Sequence, residues 1–401
     1  MRAGSRLVVR GLSASALLLA AALPAAAQQA DPRFSEARQP VGWSVTPRVT
    51  TSLAWDDNVL IQGAADTLAS DLNTTVTPGA SLDFVGRRGA FSASYNGAVQ
   101  LYRDFSALNS YDQSMHVSAR RRVSSHMLIF GQQSYSRVPT TELPALAGVP
   151  FLRIGARIAD VRGGLEGSLT KRLSVTGSYN FQWIAFDKDP VLGISLLGGH
   201  ANGGAASARY QLSQHLSLTA AYDLQSASIT TGGRFTVQNS WAGADVQLDE
   251  YSHVYGAFGV ARLDAADLGT GKTSPAWRAG YARRFESAAV DASYARSFVP
   301  SYGGGGTLAN EELTGSAHVP IGRRAYTEGT LSWRRNEPLV DDTQPLTSIW
   351  AGGLVGYAVR PWLRVEGFYG RTQQNIDRPG GRLNRNRLGI QVVTATPVRI
   401  R

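Results

Sequence analysis

Between residues 172 and 186, RLSVTGSYNFQWIAF, the apolar Leu173, Val175, Tyr179, Phe181 and Trp183 alternate strictly with Ser174, Thr176, Ser178, Asn180 and Gln182. A period of two specifies a strand, because over this length it would scatter the apolar residues around a helix of 3.6 residues per turn. One face is oily and grows aromatic toward one end, while the other carries hydroxyls and amides throughout. Neither is the interior of an ordinary sandwich. A strand with lipid on one side and a wet lumen on the other is the repeating unit of a transmembrane barrel.

The same alternation begins near Val45 and recurs in eighteen segments up to the C-terminus. Phe91, Ala93, Tyr95, Val99 and Leu101 alternate with polar residues, as do Leu216, Leu218, Ala220, Tyr222 and Leu224; Val254, Phe258 and Val260 share a face, as do Leu331 with Trp333, and Leu363 with Val365 and Tyr369. Residues 127–135 and 349–359 are apolar without a clear period, which leaves their register open. Tight connections fall near residues 86–89, 123–125, 170–172, 213–214, 249–251, 286–287, 321–323 and 360–361. Between them lie long ones near 59–73, 104–110, 139–154, 187–199, 230–237, 264–274, 300–308, 336–346 and 374–384. Short periplasmic turns and long outer loops are the pattern of outer-membrane barrels, and an even strand number returns both termini to one side. The expected fold is therefore all-β, a transmembrane antiparallel β-barrel of about 18 strands. Closure meets a physical demand, since an open sheet would leave two unpaired backbone edges in lipid.

Export is written at the N-terminus. Arg2, Arg6 and Arg10 precede the apolar run 16–23, Pro24 and the small residues Ala25, Ala26 and Ala27, which together read as a signal peptide over 1–27 cleaved after Ala27. Residues 28–44 are polar and aperiodic and read as a periplasmic lead-in; the barrel would occupy 45–401. The chain of 401 residues carries +10, which falls to +7 once the three leader arginines are removed. No later stretch holds the 18 apolar residues of a membrane helix, and the absence of cysteine excludes disulfides, thiolate metal sites and an N-terminal lipid anchor. The expected location is the outer membrane of a Gram-negative cell.

Trp55, Trp183, Trp241, Trp277, Trp333 and Trp350 all lie near a strand end that adjoins a long loop. Of these, Trp55, Trp183, Trp277, Trp333 and Trp350 are assigned to an aromatic girdle at the outer interface. Trp43 is expected to precede the barrel. The lumen lining is assigned to Asp160, Arg162, Glu166, Arg209, Asp223, Asp245, Arg278, Asp291, Glu328, Arg334, Arg364 and Glu366. The two signs are nearly balanced there. They serve either as cross-strand ion pairs bracing a polar wall or as a hydrogen-bonding surface for a hydrated solute, and they argue against a pore built around one fixed charge. Arg87, Arg88, Arg120, Arg122, Arg172, Arg283, Arg284, Arg323 and Arg324 gather beside the tight turns and predict a basic periplasmic rim. Such a rim can meet inner-leaflet lipid phosphates or draw in an acidic polymer.

Other signals are weak. The GTGKT at 269–273 lacks both the first glycine and the following helix of a phosphate loop and reads as surface loop; the glycine run 303–306 reads as a mobile loop tip reachable from outside. The six histidines are dispersed, with no metal-ligand spacing, and serines beside His116 and His253 arise by chance in so serine-rich a chain. No enzyme activity, metal, cofactor or nucleic acid is expected.

Trp55-Asp56-Asp57-Asn58-Val59, closing the first strand, and the turn-then-strand pattern Lys171-Arg172-Leu173-Ser174-Val175 resemble the beta-barrel porin type 2 family of Gram-negative outer-membrane proteins. The chain departs from such barrels at its end, Val398-Arg399-Ile400-Arg401, where an aromatic residue is usual. The resemblance implies an association with exopolysaccharide production. On this reading the barrel exports exopolysaccharide; a general diffusion or nutrient-uptake porin and a plugged structural or adhesive barrel are the alternatives. The implied partners are outer-membrane lipid and lipopolysaccharide, the barrel assembly machinery, and, for export, periplasmic polysaccharide-export proteins and an acidic polysaccharide.

Overall fold

The computed structural model describes residues 41–400 apart from 62, 64–67, 141–147, 150, 189–195, 231–232, 266–269, 286–287, 304–305, 340–344 and 377–380. The expected signal peptide and most of the lead-in lie outside them. The strands are β1 (Gly42–Asp56), β2 (Asp71–Val85), β3 (Gly89–Tyr102), β4 (Ser110–Arg122), β5 (Met127–Pro139), β6 (Gly155–Ser168), β7 (Leu173–Phe186), β8 (Gly199–Gln211), β9 (Leu216–Ile229) and β10 (Gly233–Gln247). They continue as β11 (Ser252–Ala265), β12 (Thr270–Arg284), β13 (Ala289–Pro300), β14 (Thr307–Ile321), β15 (Ala325–Pro338), β16 (Leu346–Arg360), β17 (Leu363–Ile376), β18 (Arg382–Ala395) and the short β19 (Val398–Ile400). Each pairs antiparallel with its neighbour in sequence, and β1 pairs with β18, so the sheet closes on itself. The last stave is interrupted at Thr396 and Pro397 and resumes as β19 opposite Trp43–Val45. The wall is thus an antiparallel barrel of eighteen staves, as the alternation predicts.

The first strand starts at Gly42, earlier than the alternation suggests, because Trp43 finds Phe84 and Ile400 as cross-strand partners. Its ring lies 4.8 Å from Phe84 and 6.0 Å from Phe91, in a lipid-side aromatic cluster at the periplasmic end. Trp43 is therefore part of the wall. At the other end the strands run further into the long connections than expected. Thr270–Thr273, read as loop, already belong to β12, paired with β11.

Alternation fixes which side chains meet lipid. Tyr179, Phe258, Val355, Leu388 and Ile390 are all more than half exposed and point outward, as membrane-facing side chains must in the isolated chain. The two ambiguous segments resolve by register. Met127 and Ile129 face out while Leu128 and Phe130, opposite Glu166 and Gly164, face in. In β16, Val355 and Tyr357 face out, which turns Trp350, opposite inward Ser332, toward the lumen.

The seam between the first and last staves carries the most buried ion pair among the described residues. Arg385 donates from Nε and Nη2 to Asp56 Oδ2 at 2.9 and 2.7 Å, with both residues buried. Beside it Asn386 donates its backbone N–H and its side-chain amide to the two carboxylate oxygens of Asp57, each at 2.6 Å, and Asn58 Nδ2 donates to the carbonyl of Asn384 at 2.8 Å. The segment that carries the family resemblance is thus the clasp of the barrel. Removing one partner takes the close counter-ion from a buried charge, at a cost of up to about 3–5 kcal/mol. Asp56→Ala should therefore lower the temperature at which the folded, fast-migrating gel species converts to the unfolded one. Asp56→Ala combined with Arg385→Met, which removes both charges, should recover most of the loss.

Candidate functional site

The lumen below the long connections is polar and internally paired. Arg209 meets Asp245 at 3.1 Å, and Asp245 also bonds His253 Nε2. Arg334 meets Glu312 at 2.6 Å, and His318 meets Glu328 at 2.9 Å. Arg364 approaches Glu366 at 3.6 Å, and Glu366 also accepts from Tyr326 and Gln391. Asp160 accepts from Gln182 at 2.7 Å, and Asp291 accepts from Ser316. Asp223 accepts from Asn239 at 2.7 Å and from the Trp241 indole at 3.0 Å. Arg162 donates to Ser178 at 3.2 Å and lies over the Phe130 ring, while Arg278 sits 4.8 Å over the Trp241 ring.

All twelve residues assigned to the lining lie on inward positions of their strands, and most are spent on neighbours rather than held out to a solute. The arginines of the predicted rim are exposed or half-exposed beside the tight turns, Arg87, Arg88, Arg172, Arg323 and Arg324 within the turns themselves. Of the predicted girdle, Trp55, Trp183, Trp277 and Trp333 face outward. Trp350 does not, and neither does Trp241, which is nearly buried against Asp223 and Arg278. Proximity to a long loop gives the height of a tryptophan; the parity of its strand gives its side.

The upper lumen is different. Inward positions of β5–β12 turn apolar there, and described residues of the connections after β5, β7 and β13 reach into the barrel over them. The described end of the connection after β5 reaches across the lumen. Phe151 donates its N–H to Gln374 Oε1 on β17 at 2.8 Å, and Gln374 Nε2 donates to the Val149 carbonyl at 3.3 Å and to Ser348 at 3.1 Å. Arg153 donates to the Val59 carbonyl at 2.7 Å and also bonds the Tyr102 hydroxyl, with its guanidinium over that ring. Val149 packs with Tyr302, Ala156, Ile158 and Ile184. The connection after β13 meets the one after β7 through a two-way backbone bridge, Leu197 N–H to Gly303 O at 2.9 Å and Gly303 N–H to Leu197 O at 2.8 Å. Tyr302 is buried, which pushes its phenol up, with the charge of Asp160 as a second cause. Gly303 and Gly306 take φ values of +86° and +89°, a backbone bend that side chains resist.

β13 itself leaves the wall. It pairs with β12 only from Trp277 opposite Arg296 down to the tight turn, whereas β14 follows it to Pro300. Above that point the β13–β14 hairpin turns inward, and Phe298 and Ala309 pack on Phe235, Val237, Leu263 and small inward alanines of β8–β12. Arg296 marks the departure, stacked 5.0 Å over Trp277 and 3.4 Å from Glu311. Pro275, which has no N–H to offer, stands in the part of β12 that has lost its β13 partner.

The sequence predicts a loop tip open to the outside for the glycine run 303–306; Gly303 is instead bridged to Leu197 inside the barrel, and 304–305 lie outside the described residues. The signal for these inward connections lies in the sequence. The alternation of β7 ends in Trp183-Ile184-Ala185-Phe186, apolar on both faces, and Ala227, Ile229, Phe235 and Val237 put apolar groups on the wet parity of β9 and β10. An inward apolar residue in a water-filled barrel needs a cover.

No family model matches the chain, and no curated protein matches it. Solved structures do. Acinetobacter baumannii OccAB4 is similar at 8% identity and a TM-score of 0.47, covering 90% of this chain and 99% of that one. Acinetobacter baumannii OccAB3 and Pseudomonas aeruginosa OpdQ are each similar at 10% identity and a TM-score of 0.45, covering 89% of this chain and 99% and 98% of theirs. These likenesses are of barrel architecture.

The inward hairpin predicts a measurable effect on the pore. Phe298→Asp places a charge in its apolar dock and should release it, raising single-channel conductance in planar bilayers while the heat-dependent gel shift is kept. Conductance equal to that of the unaltered barrel would mean that the hairpin does not limit the passage.

Proposed function

We propose that the chain is an outer-membrane porin that passes small hydrated solutes, a nutrient-uptake or diffusion channel of Gram-negative bacteria rather than a conduit for exopolysaccharide. The observation that carries this reading is the upper lumen, crossed by connections tied to one another and to the opposite wall through Leu197–Gly303 and Phe151–Gln374. A stiff polymer needs an unbroken bore. Small polar molecules need only gaps lined with groups that exchange hydrogen bonds, which the paired acids, bases, hydroxyls and amides below the connections supply. Balanced ion pairs hold such a wall rigid without trapping either sign of solute.

The basic rim accords with this reading without a polymer. Exposed arginines at the periplasmic end stand at the level of inner-leaflet phosphates and would hold the barrel at its depth. Replacing Arg87, Arg88, Arg323 and Arg324 together with glutamine should then leave surface polysaccharide unchanged. A marked loss of surface polysaccharide from an assembled quadruple variant would restore the export reading.

The reading as a porin is tested by swelling of proteoliposomes loaded with solutes of graded size. Monosaccharides and amino acids should enter at rates above protein-free vesicles, and oligosaccharides of five or more units should not. Impermeability to every solute would favour the plugged, structural barrel instead.

A further inference from the structure

On the lipid side of β5 and β6, Arg137 stands directly opposite Arg157, and both point away from the lumen. Like charges facing each other across a ladder repel, so a pair in this position calls for an anion between them. The chain offers part of one. Asp187 lies 3.4 Å from Arg157 and 3.8 Å from Arg137, and Lys188 follows it in sequence. Two guanidinium groups thus share one carboxylate, at distances longer than a close charge-assisted bond. The Nε of Arg157 is buried and has no partner among the described residues.

The height of the group on the barrel decides what the anion is. Arg137 lies ten residues up β5 from Met127 at the tight-turn end; at ~3.3 Å per residue and a tilt of ~40° this is ~25 Å, the height of the apolar band. Tyr135 and Trp183, both outward and both flanking Ala159, sit one rung below, where an interfacial girdle belongs. Arg137 and Arg157 therefore meet the outer leaflet at the level of its headgroups. Gly155 keeps the place open, because a Cβ there would come within 2.5 Å of Asp187 Oδ2.

We propose that Arg137 and Arg157 bind a phosphate of the outer-leaflet glycolipid, lipid A, which takes over from Asp187 as the shared anion. A phosphate fits because it offers more oxygens than a carboxylate to two exposed guanidinium ends, which Asp187 meets only at 3.4 and 3.8 Å. Asp187 then acts as a placeholder that screens the two arginines from each other until lipid arrives. This site does not depend on what the lumen conducts.

The test uses the full barrel in detergent, with lipid retention read by native mass spectrometry and thermal shift. Bisphosphorylated lipid A should be retained, and lipid A of the same acyl chains with its phosphates removed should be retained about ten-fold less. Arg137→Gln with Arg157→Gln should lose the bisphosphorylated lipid to a similar extent while keeping the heat-dependent gel shift. Asp187→Asn should strengthen retention, because it removes a competing anion, whereas a purely structural carboxylate would weaken it. Equal retention by the unaltered barrel and the double arginine variant would overturn the proposal. So would a thermal shift from millimolar inorganic phosphate as large as that from lipid A, since it would make this a site for free anions. Conductance recorded on the same preparations keeps any failure here separate from a failure of the porin reading.

Discussion

A chain that crosses hydrocarbon on strands has no water to satisfy its peptide groups, so every N–H and C=O within the bilayer must find another strand. The rest of this structure answers that constraint. Eighteen staves supply partners for one another, and the ring holds only if the first stave meets the last in register. Asp56 with Arg385 and Asp57 with Asn386 stand at that junction. The two long-range pairs are made between residues more than three hundred positions apart, and they position the two staves to zip. At the other end of the same seam Pro397 interrupts the last stave, and β19 resumes the pairing beside Trp43.

The constraint holds only within the bilayer. Staves of 12 to 15 residues exceed the nine to eleven or so that the apolar band needs, so their upper ends rise clear of it. There the sheet is free to open, and between β12 and β13 it does. Water can satisfy the edge that β13 leaves behind, and Pro275 reduces what there is to satisfy. The freed hairpin carries Phe298 and Ala309 inward onto apolar side chains, which gives the barrel a second, interior core above a wet lower lumen. Rigid wall and inward-turned connections thus belong to different levels of one molecule.

Charge follows the same division. Inside, acids and bases are consumed by one another and by hydroxyls and amides, which stabilises a polar wall in a narrow space where an unpaired charge would be costly. Outside, at the two levels where the barrel meets headgroups, arginine is left in excess. The lower excess stands among the tight turns; at the upper level Arg137 and Arg157 face each other.

Much of this was legible in the chain. Period-two patterning and the rhythm of short and long connections depend on local geometry and on which face meets lipid, and they yielded the strand number, the sidedness and the inward position of residues such as Asp160, Arg209 and Glu366. Trp55-Asp56-Asp57-Asn58-Val59 stood out as a motif, but its role as a clasp needed Arg385 and Asn386, which only closure of the ring brings near. Trp350 was placed on the wrong side because β16 is apolar on both parities, and only pairing with Ser332 settles its register. The crossing connections were beyond reach for a related reason. Alternation reports whether a side chain avoids water, and an inward Ile158 or Phe235 avoids it by packing on Tyr302 or Phe298, residues whose arrival depends on a backbone path that local pattern does not encode.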